Sequence, residues 1–145
     1  MSDVAEDLRF SEYLPLYSLR AACGVLGDGE IVQPEGWVKA AGIGKLDKTM
    51  VVVHAEGDSM EPTIHDGDLC VVRKIGGGNY NDQIVLVQRN DKAADPEHGG
   101  AYLLKKLVKK GGKTLLRSIN REYPDIPIDN DDDITIVASL HKVLH

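Results

Sequence analysis

The amino-acid sequence predicts an all-β (mainly β) fold. Seven short segments rich in β-branched and aliphatic residues follow one another along the chain, as strands do in a β sandwich or a closed barrel. Clusters of glycine, asparagine and aspartate separate these segments, and such residues end strands and form turns. A chain of 145 residues also has the length of one domain and can bury a substantial core.

The predicted strands share runs of valine, isoleucine and leucine, and they cover residues 31–40, 50–56, 69–74, 83–89, 101–109, 113–118 and 133–141. Between them, residues 42–47, 76–79 and 90–100 carry turn-forming residues and are predicted loops. The last of these loops is charged and contains Pro96, so we expect it to be solvated. The glycines at residues 76–79 lack the GxxxxGKS/T pattern of a phosphate-binding loop.

The first part of the chain shows only weak periodicity. We expect residues 1–30 to form a short, flexible N-terminal arm ahead of a domain at residues 31–145. Residues 7–14 can hold a turn of helix, which Pro15 ends. The chain then reads as an extended segment that leads to Ala-Ala-Cys-Gly at residues 21–24.

Charge and hydropathy exclude two kinds of partner. The net charge of −6 argues against a broad electropositive surface, so we expect no direct DNA binding. No apolar run approaches the roughly 18 residues that span a bilayer. The acidic N-terminus is also unlike a secretory signal, so the sequence predicts a cytoplasmic protein that does not contact a membrane.

The cysteines and the acidic residues indicate no cofactor. Cys23 and Cys70 form no CxxC pair and no disulfide framework, and we expect both to be reduced thiols. The acidic run at residues 129–133 resembles the start of a calcium-binding loop but lacks the glycine and the glutamate that such a loop needs. It is therefore predicted to be a solvated turn, and no metal site is expected.

One serine follows the end of a predicted strand in a way that favours chemistry. Residues 51–72 place a strand, a turn and a second strand in immediate succession, and Gly57 and Asp58 supply the turn just before Ser59. A serine there can protrude beyond the sheet, and the turn can direct backbone N–H groups at the oxyanion of an acyl-transfer reaction. The alternative for these three residues alone is a turn serine that bonds to its own backbone.

A serine hydroxyl becomes a good nucleophile only when a base removes its proton. His54 and His65 flank Ser59 in sequence, and spacing alone leaves a Ser/His/Asp triad open. Lys105 and Lys106 are the other candidates, because each shares a strand face with aliphatic residues and burial lowers the pKa of a lysine. Alternation does not distinguish the two lysines. They also fit an edge strand that lysines protect from aggregation.

Longer stretches carry a family resemblance. Residues 57–62, which read GDSMEP, are followed by Ile64, by DGD at residues 66–68 and by an apolar strand. This arrangement resembles the nucleophile segment of the LexA/UmuD/phage-repressor family of serine peptidases, family S24. Residues 102–107, YLLKKL, are similar to the strand that carries the family's catalytic lysine.

The resemblance extends toward both ends of the chain. Residues 120–124, NREYP, are similar to a turn near the family's C-terminus, and residues 21–24, AACG, to its self-cleavage site. It covers roughly residues 14–141 and implies a LexA/signal-peptidase-like compact β domain. Only 23 residues precede Gly24, so we expect no helix-turn-helix module, and the length profile is similar to that of the UmuD branch.

The resemblance assigns roles to particular residues. It implies Ser59 as the nucleophile and Lys105, the first lysine of the K-K-L triplet, as the general base. It implies that Met60 supports the oxyanion site and that Asp68 helps to fix the Ser59 loop. The predicted scissile bond joins Cys23 to Gly24, where small residues suit a shallow pocket and glycine permits a sharp bend.

The main hypothesis is a Ser59/Lys105 peptidase that cleaves its own chain at Cys23–Gly24 in an SOS or similar response to DNA damage. The resemblance implies a homodimer, which the apolar alternation of residues 134–144 also favours, with a recombinase filament on single-stranded DNA and a lesion-bypass polymerase as partners. Two alternatives stay open. One is cleavage of a separate protein in trans, and the other is a non-catalytic β module for dimerisation.

Overall fold

The structure, a computed structural model, describes residues 4–40, 42–90 and 101–144. Within these ranges the chain forms nine strands and one α-helix: β1 Tyr13–Tyr17, α1 Leu19–Asp28, β2 Gly36–Lys39, β3 Met50–His54, β4 Leu69–Lys74, β5 Ile84–Arg89, β6 Tyr102–Lys110, β7 Lys113–Arg117, β8 Ile126–Ile128 and β9 Ile134–Leu144. The strands belong to one sheet in the order β2-β1-β3-β4-β9-β5-β6-β7-β8. The predicted all-β class is confirmed.

Each of the seven predicted strands is present, with ends that shift by a few residues. The largest difference is at the first, where only Gly36–Lys39 of the predicted 31–40 is a strand. The structure adds β1 and β8, which contain Pro15 and Pro127. Residues 91–100 of the predicted loop lie outside the described residues.

The expectation of a flexible arm over residues 1–30 is wrong for residues 13–28. β1 pairs antiparallel with β2 and parallel with β3, and its Leu14 is fully buried. The Ser18 side chain caps α1 by accepting from the Ala21 amide at 3.1 Å, and Gly29 ends the helix in the left-handed conformation with φ of 70°. This segment is ordered because it buries apolar side chains that an extended arm would expose to water.

The core on the α1 side of the sheet is what positions the site. Ala22, Cys23 and Leu26 of the helix pack in one cluster with Met60 and Ile64 of the loop after β3 and with aliphatic residues of β3, β4, β5, β6 and β9. β9 lies between β4 and β5 and pairs antiparallel with both. It therefore joins the two halves of the sheet, of which the first leads into the Ser59 loop and the second carries Lys105.

The described residues do not meet the requirements of a membrane-spanning helix or of a metal site. In the described ranges no helix is long and apolar enough to cross a membrane. The acidic run contains a short 3-10 turn, Asp131–Asp133, in which Asn130 and Asp133 cap each other. In the part of the chain that the structure describes, no three His, Cys, Asp or Glu side chains are placed so that they could hold a metal ion together.

Candidate active site

Ser59 lies in a tightly bonded loop between β3 and β4. Gly57 adopts a φ of 79°, which suits glycine, and its amide donates to the Asp66 carboxylate at 2.8 Å. At the end of the loop the Asp68 carbonyl accepts from the Ala55 amide at 2.8 Å, and its carboxylate accepts from the His65 amide at the same distance. Asp68 thus bonds to the loop through both its backbone and its side chain, and its predicted role in fixing the loop stays a prediction.

Lys105 lies on β6 opposite Val85 of β5, and its side chain reaches the Ser59 loop. The distance from Lys105 Nζ to Ser59 Oγ is 2.6 Å. Only 4 % of Lys105 is exposed, and burial lowers the pKa of its amine from 10.5 to about 8. A large fraction of the amine is therefore neutral near pH 8, with a lone pair available for the serine proton.

The contrast between the two lysines is clear in the structure, although alternation did not distinguish them. Residues on both faces of β6 are buried, from Leu103 and Leu107 on one face to Leu104 and Val108 on the other. Alternation with aliphatic residues is therefore uninformative on this strand. Lys106 is only partly buried, whereas Lys105 contacts the serine.

A second hydroxyl holds the amine and was not identified from the sequence. Lys105 Nζ lies 2.9 Å from Ser118 Oγ, just beyond the end of β7, and Ser118 is 2 % exposed. Nothing in the local sequence marks this serine, because its position depends on the pairing of β6 with β7. In the described residues Lys105 forms no ion pair with a carboxylate, so its environment favours the neutral amine.

The segment after Ser118 bonds to the Ser59 turn. The Asn120 amide donates to the Ser59 carbonyl at 2.9 Å, and the Asn120 side chain donates to the Asp58 carbonyl at 3.2 Å. The Tyr123 hydroxyl donates to the Asp58 carboxylate. These contacts explain the NREYP stretch at residues 120–124, which the sequence singled out by resemblance alone.

Two backbone amides are available beside the nucleophile. The N–H groups of Ser59 and Met60 donate to no acceptor among the described residues. The Met60 side chain is 5 % exposed and packs in the core, which holds this part of the turn in place. These two N–H groups are the candidates to stabilise a developing oxyanion, and the role of Met60 in this stays a prediction.

An open pocket of about 490 Å³, including space open to solvent, lies next to Ser59. Its walls are mainly apolar and come from the start of α1, the Ser59 loop and β6, and they include Leu19, Ala55, Ile64, Tyr102 and Leu104. Lys105 and Ser59 form its polar side. The pocket can receive a small apolar side chain of a peptide whose carbonyl carbon lies at Ser59 Oγ.

The two histidines that the sequence left open as bases bond elsewhere. His54 Nε2 lies 3.0 Å from Glu35 Oε2, and His65 Nδ1 lies 3.1 Å from Glu61 Oε1. The Ser59 hydroxyl bonds to Lys105 instead. The geometry thus favours the lysine over a Ser/His/Asp triad.

The predicted scissile bond is not presented to the pocket. Cys23 and Gly24 lie within α1, not in extended chain, and Cys23 is 1 % exposed. Burial raises the pKa of the Cys23 thiol to about 12, as it does for Cys70. The Gly24 carbonyl accepts from the Gly29 amide and, at 3.0 Å, from the Glu30 amide, and these bonds close the C-terminal turn of α1 directly after the predicted scissile bond.

Sequence comparisons show which known proteins the chain resembles. The chain is 35 % identical over 79 residues to the repressor protein CI of Enterobacteria phage phi80. The match covers 54 % of this chain and 30 % of the repressor, so the chain spans less than a third of that relative. Residues 15–141 match the family described as Peptidase S24-like, which includes serine peptidases. Because that match spans most of its length, the chain belongs to the S24 peptidase family.

Proposed function

We propose that the protein is a serine endopeptidase in which Ser59 is the nucleophile and Lys105 the general base. The observation that carries this proposal is the 2.6 Å contact between Ser59 Oγ and a buried amine whose pKa is lowered to about 8. A neutral amine at this distance is within reach of the hydroxyl proton. A structural lysine would be expected to keep its charge and to bond to a carboxylate.

The reaction follows from these positions. Neutral Lys105 takes the proton of Ser59 as Oγ attacks the substrate carbonyl carbon, and the oxyanion accepts from the Ser59 and Met60 amides. The Lys105 ammonium then gives its proton to the leaving amine as the peptide C–N bond breaks. Water attacks the resulting ester, Lys105 takes the water proton, and the proton returns to Ser59 Oγ as the acid product leaves.

We propose the chain itself, at Cys23–Gly24, as one substrate. Because α1 holds this bond in a buried helical turn, the helix must unwind before the bond can enter the pocket. The cost of unwinding makes the resting protein slow to cleave, and a signal that favours the unwound state would start the reaction. An SOS-type response to DNA damage, with a recombinase filament as trigger and a lesion-bypass polymerase as partner of the product, remains part of the proposal.

Cleavage of a second chain is the other candidate, and one observation favours it. The pocket beside Ser59 is open while the chain's own candidate bond is buried. An extended segment of another protein can reach the site without unwinding α1, whereas a second copy of this chain would have to unwind its own α1 to present Cys23–Gly24. A homodimer would bring such a segment close.

Intact mass spectrometry after incubation tests the proposal. The wild-type protein should yield a fragment that begins at Gly24, whereas Ser59→Ala and Lys105→Met should not, and Lys106→Met is the matched control that should behave like wild type. Adding inactive Ser59→Ala protein as a substrate separates cis from trans cleavage. If wild type and Ser59→Ala give the same fragments, the self-cleavage proposal is wrong.

A further inference from the structure

Tyr123 contacts Lys105 and Asp58, the residue that precedes Ser59. Its hydroxyl donates to the carboxylate of Asp58, the residue just before the nucleophile. The centroid of its ring lies 5.8 Å from Lys105 Nζ, within the range of a cation–π interaction. One side chain on the loop between β7 and β8 therefore reaches the serine turn through its polar end and the amine through its ring.

We propose that Tyr123 is a positioning residue for the dyad: its hydroxyl holds the Ser59 turn in register, and its ring stabilises the Lys105 ammonium that forms when Ser59 gives up its proton. This inference rests on the proposed function. It assigns to this partly buried tyrosine the positioning of Ser59 and the stabilisation of the Lys105 ammonium.

The hydroxyl bonds to the side chain of Asp58, whereas Asn120 bonds to the backbone of the same turn. Asp58 is exposed, and its side chain reaches Tyr123 across the gap between the two loops. The same loop also holds the Ser59 carbonyl through the Asn120 amide at 2.9 Å. Because the Ser59 and Met60 amides must face the oxyanion, a small rotation of this turn would misplace both donors.

The loop that carries Tyr123 is itself fixed at its base. Arg117 Nε and Nη2 donate to the two carboxylate oxygens of Asp125 at 3.1 and 2.9 Å. Arg121 Nη1 donates to the same carboxylate at 3.2 Å. The bonds of Arg117 and Arg121 to Asp125 connect the two ends of residues 117–125. The loop that carries Tyr123 is therefore held at its base.

The ring acts on the charged form of the amine. The groups that face Lys105 Nζ are the Ser59 and Ser118 hydroxyls and the Tyr123 ring, while the carboxylate of Glu56 lines the same pocket. The Asp58 carboxylate accepts from the hydroxyl of the same tyrosine. The negative face of the ring attracts an ammonium and not a neutral amine, so it favours the product of the proton transfer.

Two substitutions separate the hydroxyl from the ring. Tyr123→Phe removes the bond to Asp58 and keeps the ring, and Tyr123→Leu removes both. Tyr80→Phe is the matched control, because Tyr80 is also a partly buried tyrosine whose hydroxyl bonds to backbone, at Gly76, away from the site. Circular dichroism and thermal melting establish that each variant is folded.

The measurements are the self-cleavage rate between pH 6 and pH 10, the titration of the Lys105 amine by NMR, and hydrogen exchange of the amides of residues 58–60. Tyr123→Phe should lower the rate about 5- to 10-fold at every pH and speed this exchange, with the Lys105 midpoint unchanged. Tyr123→Leu should in addition move the Lys105 midpoint about half a pH unit lower. Tyr80→Phe should match wild type in all three.

The hydroxyl's role is refuted if Tyr123→Phe leaves both the rate and the exchange of residues 58–60 as in wild type. A midpoint in Tyr123→Leu that equals or exceeds the wild-type value refutes the ring's role. Asp58→Asn combined with Tyr123→Phe should cost no more than either change alone if the two groups act through one bond. If wild type itself does not cleave, the proposed function fails separately, while the amine titration and amide exchange still decide the two roles of Tyr123.

Discussion

The rate of self-cleavage, with Ser59 as the proposed nucleophile, should rise about tenfold between pH 7 and pH 9 and then level off. With a Lys105 pKa of about 8, the neutral amine is roughly a tenth of the total at pH 7, about half at pH 8 and about nine-tenths at pH 9. An ordinary lysine at 10.5 would instead give a rise that continues past pH 10. The sequence alone predicted a rise between about pH 8 and 10, and the burial of Lys105 moves that window lower.

The same burial of Lys105 lowers the stability of the folded protein at neutral pH. In the folded protein the Lys105 amine loses its proton near pH 8, and in the unfolded chain near 10.5, so between these values the unfolded chain binds more protons. Stability from this group therefore rises with pH across that window. Below pH 8 the folded state carries the full cost of a buried ammonium, which is ~3 kcal/mol from the difference between the two pKa values.

Replacing the amine with an apolar side chain tests both effects together. Lys105→Met should abolish cleavage and yet raise the free energy of unfolding at pH 7 by about 1–2 kcal/mol, since ~3 kcal/mol of desolvation is relieved and the Ser59 and Ser118 hydroxyls lose a partner. Near pH 10 this gain should disappear.

Urea unfolding at pH 7 and pH 10 measures this difference, with Lys106→Met as the control whose stability should change little between the two values. The reasoning about Lys105 is refuted if Lys105→Met gains no stability at pH 7 relative to pH 10. A cleavage rate that is flat from pH 7 to pH 9 in wild type would refute the assignment of Lys105 as the base.

Three further predictions concern the surroundings of the dyad. Ser118→Ala should lower the cleavage rate about tenfold, because Lys105 loses the bond that orients its amine, and a rate equal to wild type would exclude that role. Ser18→Ala should instead raise self-cleavage about fivefold, because losing the α1 cap costs ~1 kcal/mol and a larger fraction of the molecules has α1 unwound; an unchanged or slower rate would argue against unwinding of α1 before cleavage. Sedimentation at micromolar concentration should give a dimer that pairs through β9, and a monomer mass would count against the homodimer proposal.

The strands could be predicted because their apolar residues alternate or cluster between turn formers. β8 was missed because it has three residues and its middle residue is Pro127, which cannot donate to a sheet. β1 was missed for a related reason, since Pro15 interrupts it. Both strands depend on partners distant in sequence, which no local pattern shows.

The helix was missed although its caps are visible in the sequence. Ser18 and Gly29 are typical cap residues, but Gly24 and Gly27 weaken the helical pattern between them. Packing does not require either glycine. A Cβ at Gly24 would meet only the carboxylate end of the flexible Glu30 side chain, and one at Gly27 would make ordinary van der Waals contact with the methyl groups of Val137.

The site was predictable only in part. Ser59 follows a turn signal that any reader of the sequence can find, and the choice of Lys105 came from resemblance, because burial on both faces of β6 removes the difference between neighbouring lysines. Ser118 carries no local signal. It meets Lys105 only through the β6–β7 register, which pairs Lys106 with Arg117 and brings the following serine to the amine.

The central position of β9 has a consequence for how the protein is made. Ser59 and Lys105 are synthesised well before residues 134–144, yet the halves of the sheet that hold them are joined by that strand. While the chain is still growing on the ribosome, Ser59 and Lys105 belong to two pieces of sheet without their connecting strand. We therefore expect the proposed dyad to form only after translation has passed β9.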